Sequence, residues 1–561
     1  MRRAKRTLNS VHIDALPVIN NYIEDCNLSG IFEQFVPTAG NIKISPSCAL
    51  LLILRNIMLS SFPLYKLPDW TCNYIPELLE LSKTSSEFIN DDRFGRSLDQ
   101  LFLADRATLC TKIALEVIKK YKLQLKSCHD DSTQVNFYGK YIRKVKFSKE
   151  AVNITKGYNK DRLLNIKQLI FNLVVTSDGA VPIHFKLYDG NVTDASTHQE
   201  TWEKLHALIG RPDFIYVADS KLCTKENMYY IDSREGKFIT LMPQTRKEHQ
   251  VFTKWVERHP IRGKALWYRN NSPKKEKHKD NHYRGYEAPR FVSKEGYRII
   301  WIKSSQKQKL DAQKRNQDIK EVEAQFQELN SRINTYYLKT KKAIQEKVEK
   351  LLKEHYAEDY FNYKIENFQK NLKKHLSRGR PGVNSRYSYS SKIYHRFSWG
   401  LKKEVVKKKS HADGFFPLIT NIKDLKMTAI LKYYKYQPHL EKRHSYLKSV
   451  LEVAPVYLKT PERIEALLFL YYLALMIYAL IERDLLKAMK KNDIKSLPIY
   501  PEQRECKRPS AERILEIFKN ISKHNLFENG KLADTFCDPL NVLQLKILEL
   551  LNISKKYYIK N

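Results

Sequence analysis

Apolar residues recur at spacings of three and four over the first 118 residues of the chain. This period places them on one face of successive α-helices. Pro63, Pro68 and Pro76 interrupt the pattern, because proline removes a backbone donor and breaks a helix. The same period returns over residues 456–561. The sequence therefore predicts helical regions at both ends of the chain.

Short apolar stretches with the composition of β-strands lie between these regions. The first three are at residues 123–138, 168–176 and 181–188, and an Asp-Gly turn joins the second to the third. Two strands joined by such a turn indicate an antiparallel hairpin. Helix, strand, helix and strand then alternate around residues 196–209, 214–218, 224–234 and 238–241. We therefore predict a mixed α/β sheet with the ribonuclease-H-like layout.

Positive charge is concentrated in the segment that follows this sheet. The chain has 99 Lys and Arg against 62 Asp and Glu, a net charge of +37. Residues 241–410 hold 42 of the basic and 18 of the acidic residues, which is +24 of that excess. Such an excess favours nucleic acid or an anionic membrane surface as a partner. Residues 246–410 are therefore predicted to be a large basic insertion that interrupts the α/β core.

A heptad seam within the insertion predicts a helical arm. Its six apolar residues step by 3, 4, 3, 4 and 3, namely Ile319, Val322, Phe326, Leu329, Ile333 and Tyr336. The seam is short for a dimeric coiled coil, so we expect it to pack within the chain. The core then resumes with a strand at residues 414–420 and one long helix at residues 425–451. The predicted domains are therefore residues 1–118, 119–245, 246–410, 411–455 and 456–561.

One apolar run and the spacing of the cysteines indicate the cellular compartment of the protein. Residues 466–481 are apolar without a break, but they fall short of the roughly 20 residues that a membrane span needs. We expect a buried core helix there, and no membrane. The eight cysteines contain no Cys-x-x-Cys pair, and the basic start leads into no apolar segment of the kind found in secretory signals. These features favour a cytoplasmic protein with reduced thiols.

Three acidic residues stand out by their positions. Asp131 lies in the first strand, and the adjacent Asp130 points to the opposite face because strand side chains alternate. Asp219 ends the fourth strand, where the ligand sites of open α/β sheets form. Glu441 lies in the long helix. Taken singly, each has a simpler role, because an Asp at a strand end often forms a turn and a Glu in a Lys-rich helix is often solvated.

Carboxylates brought together from two strands and a helix repel one another unless a cation lies between them. Hard oxygen ligands suit Mg²⁺ or Mn²⁺. Two such ions can clamp the attacking and leaving oxygens of a phosphodiester during an in-line displacement. A polyanionic substrate of this kind would also account for the positive charge of the chain.

Several blocks, taken in order, resemble a known enzyme family. They are HDDSTQVNFYGKY (129–141), GYNKDRLLNIKQLIFNLVVTSDGAVPIHFKLYDGNVTD (157–194), FIYVADSKL (214–222), DGFFPLITN (413–421) and YKYQPHLEKRHSYLK (434–448). They are similar to blocks of the DDE transposases of bacterial insertion sequences. Within that family they resemble the group whose catalytic helix carries a Tyr-x2-Arg-x3-Glu-x6-Lys signature. The resemblance implies a ribonuclease-H-like catalytic core.

By this resemblance Asp131, Asp219 and Glu441 are the catalytic triad, and they bind two Mg²⁺ ions for which Mn²⁺ can substitute. Tyr434 and Lys448 take the Tyr and Lys positions of the signature, which hold DNA phosphate near the cut. Gln437 replaces the signature Arg. A glutamine can donate a hydrogen bond to phosphate, but it brings no charge.

Further DNA contacts are predicted in the insertion, where basic clusters interleave with aromatic residues. Basic side chains hold phosphates, and aromatic faces stack on unpaired bases. The candidates are Lys373, Lys374, Arg378, Arg380, Lys407, Lys408, Lys409 and Trp399. Packing in a small core is the alternative role of Trp399, and a structural role is the alternative for His129, which shares a face with Asp131.

The resemblance implies cut-and-paste DNA transposition. A homodimer would bind double-stranded DNA at the terminal inverted repeats, cleave at the element ends and join them to target DNA, in the nucleoid-associated part of a bacterial cytoplasm. Two alternatives stay open, namely an inactive transposase-like repressor and a metal-dependent nuclease that cuts without strand transfer. DNA-binding assays do not separate them, because the salt dependence is alike in all three cases. Assays of metal-dependent cleavage and of strand transfer do.

Overall fold

A computed structural model describes residues 6–38, 40, 42–82, 88–138, 141, 150–157, 166–192, 196–266, 282–376, 380, 382–383, 386–451, 453 and 458–559. The chain forms two compact units. The first comprises Met1–Leu241, Thr420–Leu425 and Ala429–Asn561, and the second comprises Met242–Ile419 and Lys426–Thr428. The second unit includes the stretch 246–410 that was predicted as the basic insertion, and its main segment begins at Met242 and ends at Ile419.

The strands of the described segments are β1 (Arg6–His12), β2 (Ser127–Phe137), β3 (Thr155–Lys156), β4 (Lys167–Thr176), β5 (Pro182–Asp189), β6 (Ile215–Ala218), β7 (Lys237–Leu241), β8 (Lys264–Leu266), β9 (Tyr283–Tyr286), β10 (Arg298–Ser304), β11 (Phe361–His375), β12 (Tyr387–Leu401), β13 (Phe415–Thr420), β14 (Ser522–Glu528) and β15 (Lys531–Cys537).

The α-helices of the same segments are α1 (Leu16–Asp25), α2 (Leu28–Phe35), α3 (Pro46–Leu59), α4 (Leu67–Cys72), α5 (Asp91–Leu103), α6 (Arg106–Tyr121), α7 (His198–Ile209), α8 (Lys225–Asp232), α9 (Lys247–Arg258), α10 (Ser305–Arg332), α11 (Lys341–Glu354), α12 (Lys403–Ser410), α13 (Met427–Tyr434), α14 (Gln437–Ser449), α15 (Pro461–Lys491), α16 (Ala511–Glu516) and α17 (Val542–Leu551).

The main sheet of the first unit is centred on β2. β4 pairs antiparallel with β2 on one side, and β6 pairs parallel with it on the other. β5 is antiparallel to β4 and β7 is parallel to β6, so the strands lie in the order β5-β4-β2-β6-β7. If these five strands are numbered by their order in the chain, the order in the sheet is 3-2-1-4-5, and the second strand runs antiparallel to the other four. The predicted mixed α/β sheet is present, and its strand order resembles that of ribonuclease-H-like cores.

The long helix α15 forms the apolar centre of the first unit. Its most apolar 18-residue window is long and hydrophobic enough to cross a membrane, but 89% of that window is buried. The Tyr472 ring stacks on Phe185 of β5, with centroids 5.3 Å apart. The Tyr478 hydroxyl donates to the backbone oxygen of Met58 in α3 over 3.2 Å. These contacts agree with the expectation of a buried core helix.

The prediction of purely helical end regions needs a correction. β1 near the N-terminus pairs antiparallel with β14 near the C-terminus, and β15 completes a three-stranded sheet. Every residue of β1 is exposed or half-buried. Because no side chain of this strand is buried, its sequence lacks the apolar alternation by which a half-buried strand is recognised.

The long helix predicted at residues 425–451 is wrong, because two helices occupy that stretch. α13 ends at Tyr434 and α14 begins at Gln437. Pro438 lies in the first turn of α14. Proline has no N–H for the carbonyl four residues earlier, and its ring clashes with that carbonyl, so a continuous helix cannot form here. Tyr434 is therefore not on the helix that carries Glu441.

The second unit combines a sheet, a helical pair and a long hairpin. Its sheet has the order β13-β10-β9-β8. β11 and β12 form a separate two-stranded antiparallel ribbon whose pairing runs from Phe361 with Leu401 to His375 with Tyr387. The heptad seam of α10 is buried against α11 and the base of this ribbon, with Phe326 at the centre. The predicted packing of the seam within the chain is confirmed from Ile319 to Ile333, but α10 ends at Arg332, and Tyr336, the last predicted seam residue, is 77% exposed.

Candidate functional site

The parallel pairing of β2 with β6 brings Asp131 and Asp219 to the same level of the sheet. His129 pairs with Val217. Continuing this register by two residues sets Asp131 beside Asp219, which directly follows the end of β6. The Asp131 side chain is 23% exposed, and Asp219 is half-buried. Both carboxylates are thus partly accessible to solvent. β2 holds the backbone of Asp131, and the Asp219 carboxylate accepts a hydrogen bond from the backbone N–H of Lys221 over 2.8 Å.

Helix α14 brings the third carboxylate to this edge. Glu441 is exposed in the second turn of α14. One turn further along, the buried His444 places its Nε2 3.7 Å from Oδ2 of Asp131. α14 therefore lies against the strand that carries Asp131, and Glu441 lies on the part of the helix next to it.

The pKa of the Tyr434 phenol is affected by all three acids. Burial raises the pKa of Tyr434, and the negative charges of Asp219, Glu441 and Asp131 raise it further, to about 12. All three carboxylates therefore act on one side chain, although they come from two strands and a helix. With this pKa the phenol keeps its proton at neutral pH and can donate it in a hydrogen bond.

The chemistry of this donor set fits divalent magnesium or manganese. Three carboxylates from separate elements supply hard oxygen ligands, and their partial exposure leaves room for water and substrate oxygens. Among the residues that the structure describes, the ligand atoms of the three acids do not all lie within 4.8 Å of one another. The three acids are therefore near one another without forming a compact set of ligands for a single ion.

Asp130 faces the opposite side of β2, as strand alternation predicts. Its carboxylate accepts hydrogen bonds from Tyr216 over 2.6 Å and from Asn172 over 2.7 Å, and His198 lies at 3.1 Å. Burial alone would raise the pKa of Asp130, but these partners outweigh burial and hold the pKa below its usual value. Asp130 therefore anchors the sheet, and Asp131 is the residue of the pair that is available to a ligand.

Gln437 lies inside the protein. Its Nε2 donates to the backbone oxygen of Asp130 over 2.9 Å, and its Oε1 accepts from Nδ1 of His129 over 3.2 Å. Burial lowers the pKa of His129 to about 4, so the imidazole is neutral at physiological pH. The amide that was expected at DNA phosphate is thus engaged between α14 and β2. Gln437 positions the helix that carries Glu441.

Replacing Gln437 by leucine is expected to lower the free energy of unfolding by about 1–3 kcal/mol. The change removes the hydrogen-bond acceptor of His129 Nδ1 and the side-chain donor to the Asp130 carbonyl, both of which are buried contacts. Urea denaturation measures the effect. As a control, Gln124→Leu replaces an exposed glutamine of the same unit and should stay within about 0.5 kcal/mol of wild type. Equal stability of the two variants would show that the buried amide does not hold the helix.

Arg443 and Glu482 form a second contact that fixes α14. Arg443 donates to the backbone oxygens of Gly179 and Ala180 in the β4–β5 turn, over 2.9 and 3.1 Å. It also donates to the Glu482 carboxylate of α15 over 2.8 Å. One buried side chain thus ties α14 to both the sheet and the core helix.

Sequence reasoning missed the residues that position α14. Arg443 lies two residues after Glu441 and is almost fully buried, although a charged residue in a Lys-rich helix is expected to be solvated. Glu482 follows directly after the apolar run 466–481, where it resembles a flanking surface charge. The one available signal was the cluster of charges that ends this run. It does not reveal which of these charges is buried.

The DNA contacts that were predicted in the insertion lie in the second unit, whereas Lys448 is exposed on α14 of the first unit. Lys373, Lys374, Arg380, Lys407 and Lys408 are exposed, and Arg378 lies outside the described residues. Lys409 forms an ion pair with Asp359. Trp399 packs against Phe326 and Phe397 of the unit's core, with ring centroids 5.5 and 5.2 Å away, so packing rather than base stacking accounts for its position.

The fold and the site define a class, namely a mixed α/β protein whose central parallel strands carry two aspartates opposite a helix that carries a glutamate. A family described as a domain of unknown function (DUF4277) matches residues 8–115, which precede this site. None of the curated proteins matches the chain.

Solved transposase structures are similar to the chain. A piggyBac transposase synaptic complex with hairpin DNA is 8% identical, with 91% of this chain and 81% of the other covered and a TM-score of 0.37. A pre-cleavage Mos1 transpososome is 12% identical over 36% of this chain and 60% of the other, with a TM-score of 0.15. A Mos1 mariner paired-end complex with Mn is 13% identical over 36% and 60%, with a TM-score of 0.14. The strand order of the main sheet and the placement of the three carboxylates are properties of this chain and do not depend on these similarities.

Proposed function

We propose that this chain is a DDE-type transposase of a bacterial insertion sequence, which cleaves DNA at the element ends and joins the ends to target DNA. The observation that carries the proposal is geometric: the β2–β6 register sets Asp131 beside Asp219 at the edge of a 3-2-1-4-5 sheet, and α14, which carries Glu441, lies against Asp131. A metal-dependent nuclease site needs such a cluster of solvent-accessible carboxylates, whereas DNA binding alone does not require it.

The proposed chemistry is metal-dependent hydrolysis followed by transesterification. Asp131, Asp219 and Glu441 would hold two Mg²⁺ or Mn²⁺ ions. Bound there, the ions would supply a polarised phosphodiester and an activated nucleophile. The chain itself orients the triad: the β2–β6 register sets the two aspartates side by side, and α14 sets the glutamate. Attack by water frees a 3′-OH at the element end, and attack by that 3′-OH joins the end to target DNA.

Two side chains of the site are suited to hold the DNA strand. The Tyr434 phenol keeps its proton because its pKa is about 12, so it can donate to a phosphate oxygen without adding negative charge. Lys448 is exposed in the last turn of α14 and lies seven residues, or about two turns, after Glu441. Its ammonium can neutralise phosphate on the same face of the helix.

The proposal includes the biological setting of the reaction. The substrate is double-stranded DNA with terminal inverted repeats, and the target is a second duplex. Two ends must be held together for joining, so a homodimer in a synaptic complex is proposed. The setting is the nucleoid-associated part of the bacterial cytoplasm, and no step involves a membrane.

Cleavage of labelled duplexes that span the DNA flanking the gene tests the proposal. With Mg²⁺ we expect nicks at the outer border of terminal inverted repeats, and chelation of the metal should abolish them while binding remains. Pre-cut ends offered with target DNA should then be joined. Metal-dependent cleavage without joining would identify a nuclease, and binding without cleavage under any metal would identify a repressor. Either result overturns the transposase proposal.

A further inference from the structure

The ribbon of β11 and β12 has one face that is open along its whole length. In the register of the ribbon, even-numbered residues pair with even-numbered residues, so they share one face. The odd-numbered face is buried at its base by Phe361, Ile365 and Phe397. Every residue of the even-numbered face from 362 to 374 and from 388 to 400 is exposed or half-buried. We refer to it as the outer face.

The outer face is basic. It carries Lys364, Lys370, Lys374, Lys392 and Arg396, and its acidic residue, Glu366, forms an ion pair with Lys364. In the half of the ribbon farther from the helical core, residues 368–375 and 387–394 contain four lysines and no carboxylate. This half therefore presents positive charge without a neutralising acid within the ribbon.

A pair of lysines in this half is unfavourable for the ribbon itself. Lys370 is directly opposite Lys392 in the antiparallel register. Like charges in directly opposite positions destabilise a β-sheet. The pairing brings no benefit to folding, whereas a polyanion bound across the outer face would remove the repulsion.

Aromatic rings between the cations stiffen the same face. Phe368 and Tyr394 lie opposite each other with ring centroids 5.9 Å apart. The guanidinium of Arg396 lies 5.6 Å from the Phe368 ring, and the ammonium of Lys370 lies 5.8 Å from the Tyr394 ring. Phe368 is 41% exposed. These contacts orient the cationic groups on the outer face instead of leaving them as independent mobile charges.

The dimensions of the ribbon fit double-stranded DNA. Two paired strands lie about 4.8 Å apart, and the major groove of B-form DNA, about 12 Å wide, admits a two-stranded ribbon. Lysine is a donor for the O6 and N7 atoms of guanine, which line that groove. The major groove of double-stranded RNA is too narrow and deep for side chains to read. The shape of the ribbon therefore favours DNA over RNA.

We propose that the β11–β12 ribbon enters the major groove of duplex DNA with its outer face toward the base edges. This inference rests on the proposed function for the identity of the substrate, and it adds a groove-reading element that lies outside the catalytic unit. Lys370, Lys374 and Lys392 contact the guanine edges and the phosphates that border the groove.

Binding of full-length protein to element-end duplexes tests the ribbon. The variant Lys370→Gln/Lys374→Gln/Lys392→Gln should weaken binding at least tenfold and reduce the slope of log affinity against log salt by about 2–3, since each lost phosphate contact accounts for roughly 0.9. Methylation of guanine N7 should block wild-type binding at defined positions, and the variant should lose this pattern. The control Lys309→Gln/Lys320→Gln/Lys342→Gln removes the same charge from exposed sites on α10 and α11.

The outcomes separate this inference from the proposed function. If the ribbon and control variants lose the same affinity for DNA, the ribbon contributes only unspecific positive charge and the inference is wrong. The same conclusion follows if the ribbon variant loses as much affinity for duplex RNA as for duplex DNA. Wild-type binding by the ribbon variant would also overturn it, even if cleavage by the triad is intact. Conversely, the protein could show ribbon-dependent interference by guanine N7 methylation and yet never cleave DNA. That result would support binding of the ribbon in the major groove and contradict the transposase proposal.

Discussion

Changing Asp131, Asp219 or Glu441 to its amide is expected to lower the rate of metal-dependent DNA cleavage by roughly 10³-fold or more. The loss of a residue that only supports a metal ligand typically lowers activity by about 10–100-fold, so the loss of a ligand itself should have a larger effect. An amide keeps the shape of the side chain but removes the charge that would hold a divalent ion between the converging acids. The measurement is the single-turnover rate on a labelled element end at saturating protein.

Binding and fold should survive these changes, which distinguishes a catalytic defect from misfolding. The three carboxylates are exposed or half-buried, so their neutralisation should leave the thermal midpoint within a few degrees and DNA affinity within about threefold of wild type. Asp213→Asn is a matched control, because Asp213 lies just before β6 in a solvent-exposed pair with Arg211. Wild-type cleavage by Asp219→Asn, or equal loss in Asp213→Asn, would contradict the triad.

Replacing Glu482 by alanine is expected to lower the free energy of unfolding by about 3–5 kcal/mol, because it leaves a buried arginine without its counter-charge. The Glu482 carboxylate accepts from Arg443 and Tyr446, both over 2.8 Å, and from Lys442 and the backbone N–H of Ala511, both over 3.1 Å. Since three of these donors lie on α14 within five residues after Glu441, cleavage should fall along with stability. Urea denaturation and cleavage of the same samples measure both effects.

The pH dependence of stability gives an independent signature of Glu482. Burial alone would raise its pKa, but the charges of Arg443 and Lys442 and the hydrogen bonds outweigh burial and lower it from 4.5 to about 2. A depressed pKa stabilises the fold above pH 4.5, and this contribution, on the order of 3 kcal/mol, is lost as the pH falls toward 2. In Glu482→Gln the decline over this interval should be shallower than in wild type.

Two further variants keep the Glu482 interpretation testable. Glu549→Gln changes an exposed acid of α17 that pairs with Lys546, and it should cost less than about 1 kcal/mol. The double variant Arg443→Met/Glu482→Leu replaces both charges, so it should be more stable than Glu482→Ala alone. If Glu482→Ala matched Glu549→Gln, the buried carboxylate would have no part in holding α14.

Much of the fold could be predicted from local patterns of apolar and turn-forming residues, which are visible in the sequence without the tertiary structure. The spacing of apolar residues marks α5 and α6, and an unbroken apolar run marks α15. The Ser177-Asp178-Gly179 turn marks the β4–β5 hairpin, since only a few residue types suit such a turn. The heptad seam of α10 was recognisable for the same reason. The failures have equally local causes. β1 has no buried residue to alternate, and Pro438 ends the helical pattern that apolar spacing alone extended from α13 into α14.

The sequence by itself determined which chemical groups are present and in what order: Asp131, Asp219 and Glu441, the strands that carry them, and the excess of basic residues between the second and third. Only the tertiary structure decided their surroundings. The β2–β6 register placed the aspartates side by side, and the buried partners of Gln437 and Glu482 fixed the helix of Glu441. Burial and pairing depend on residues far apart in the chain, and no local pattern records them.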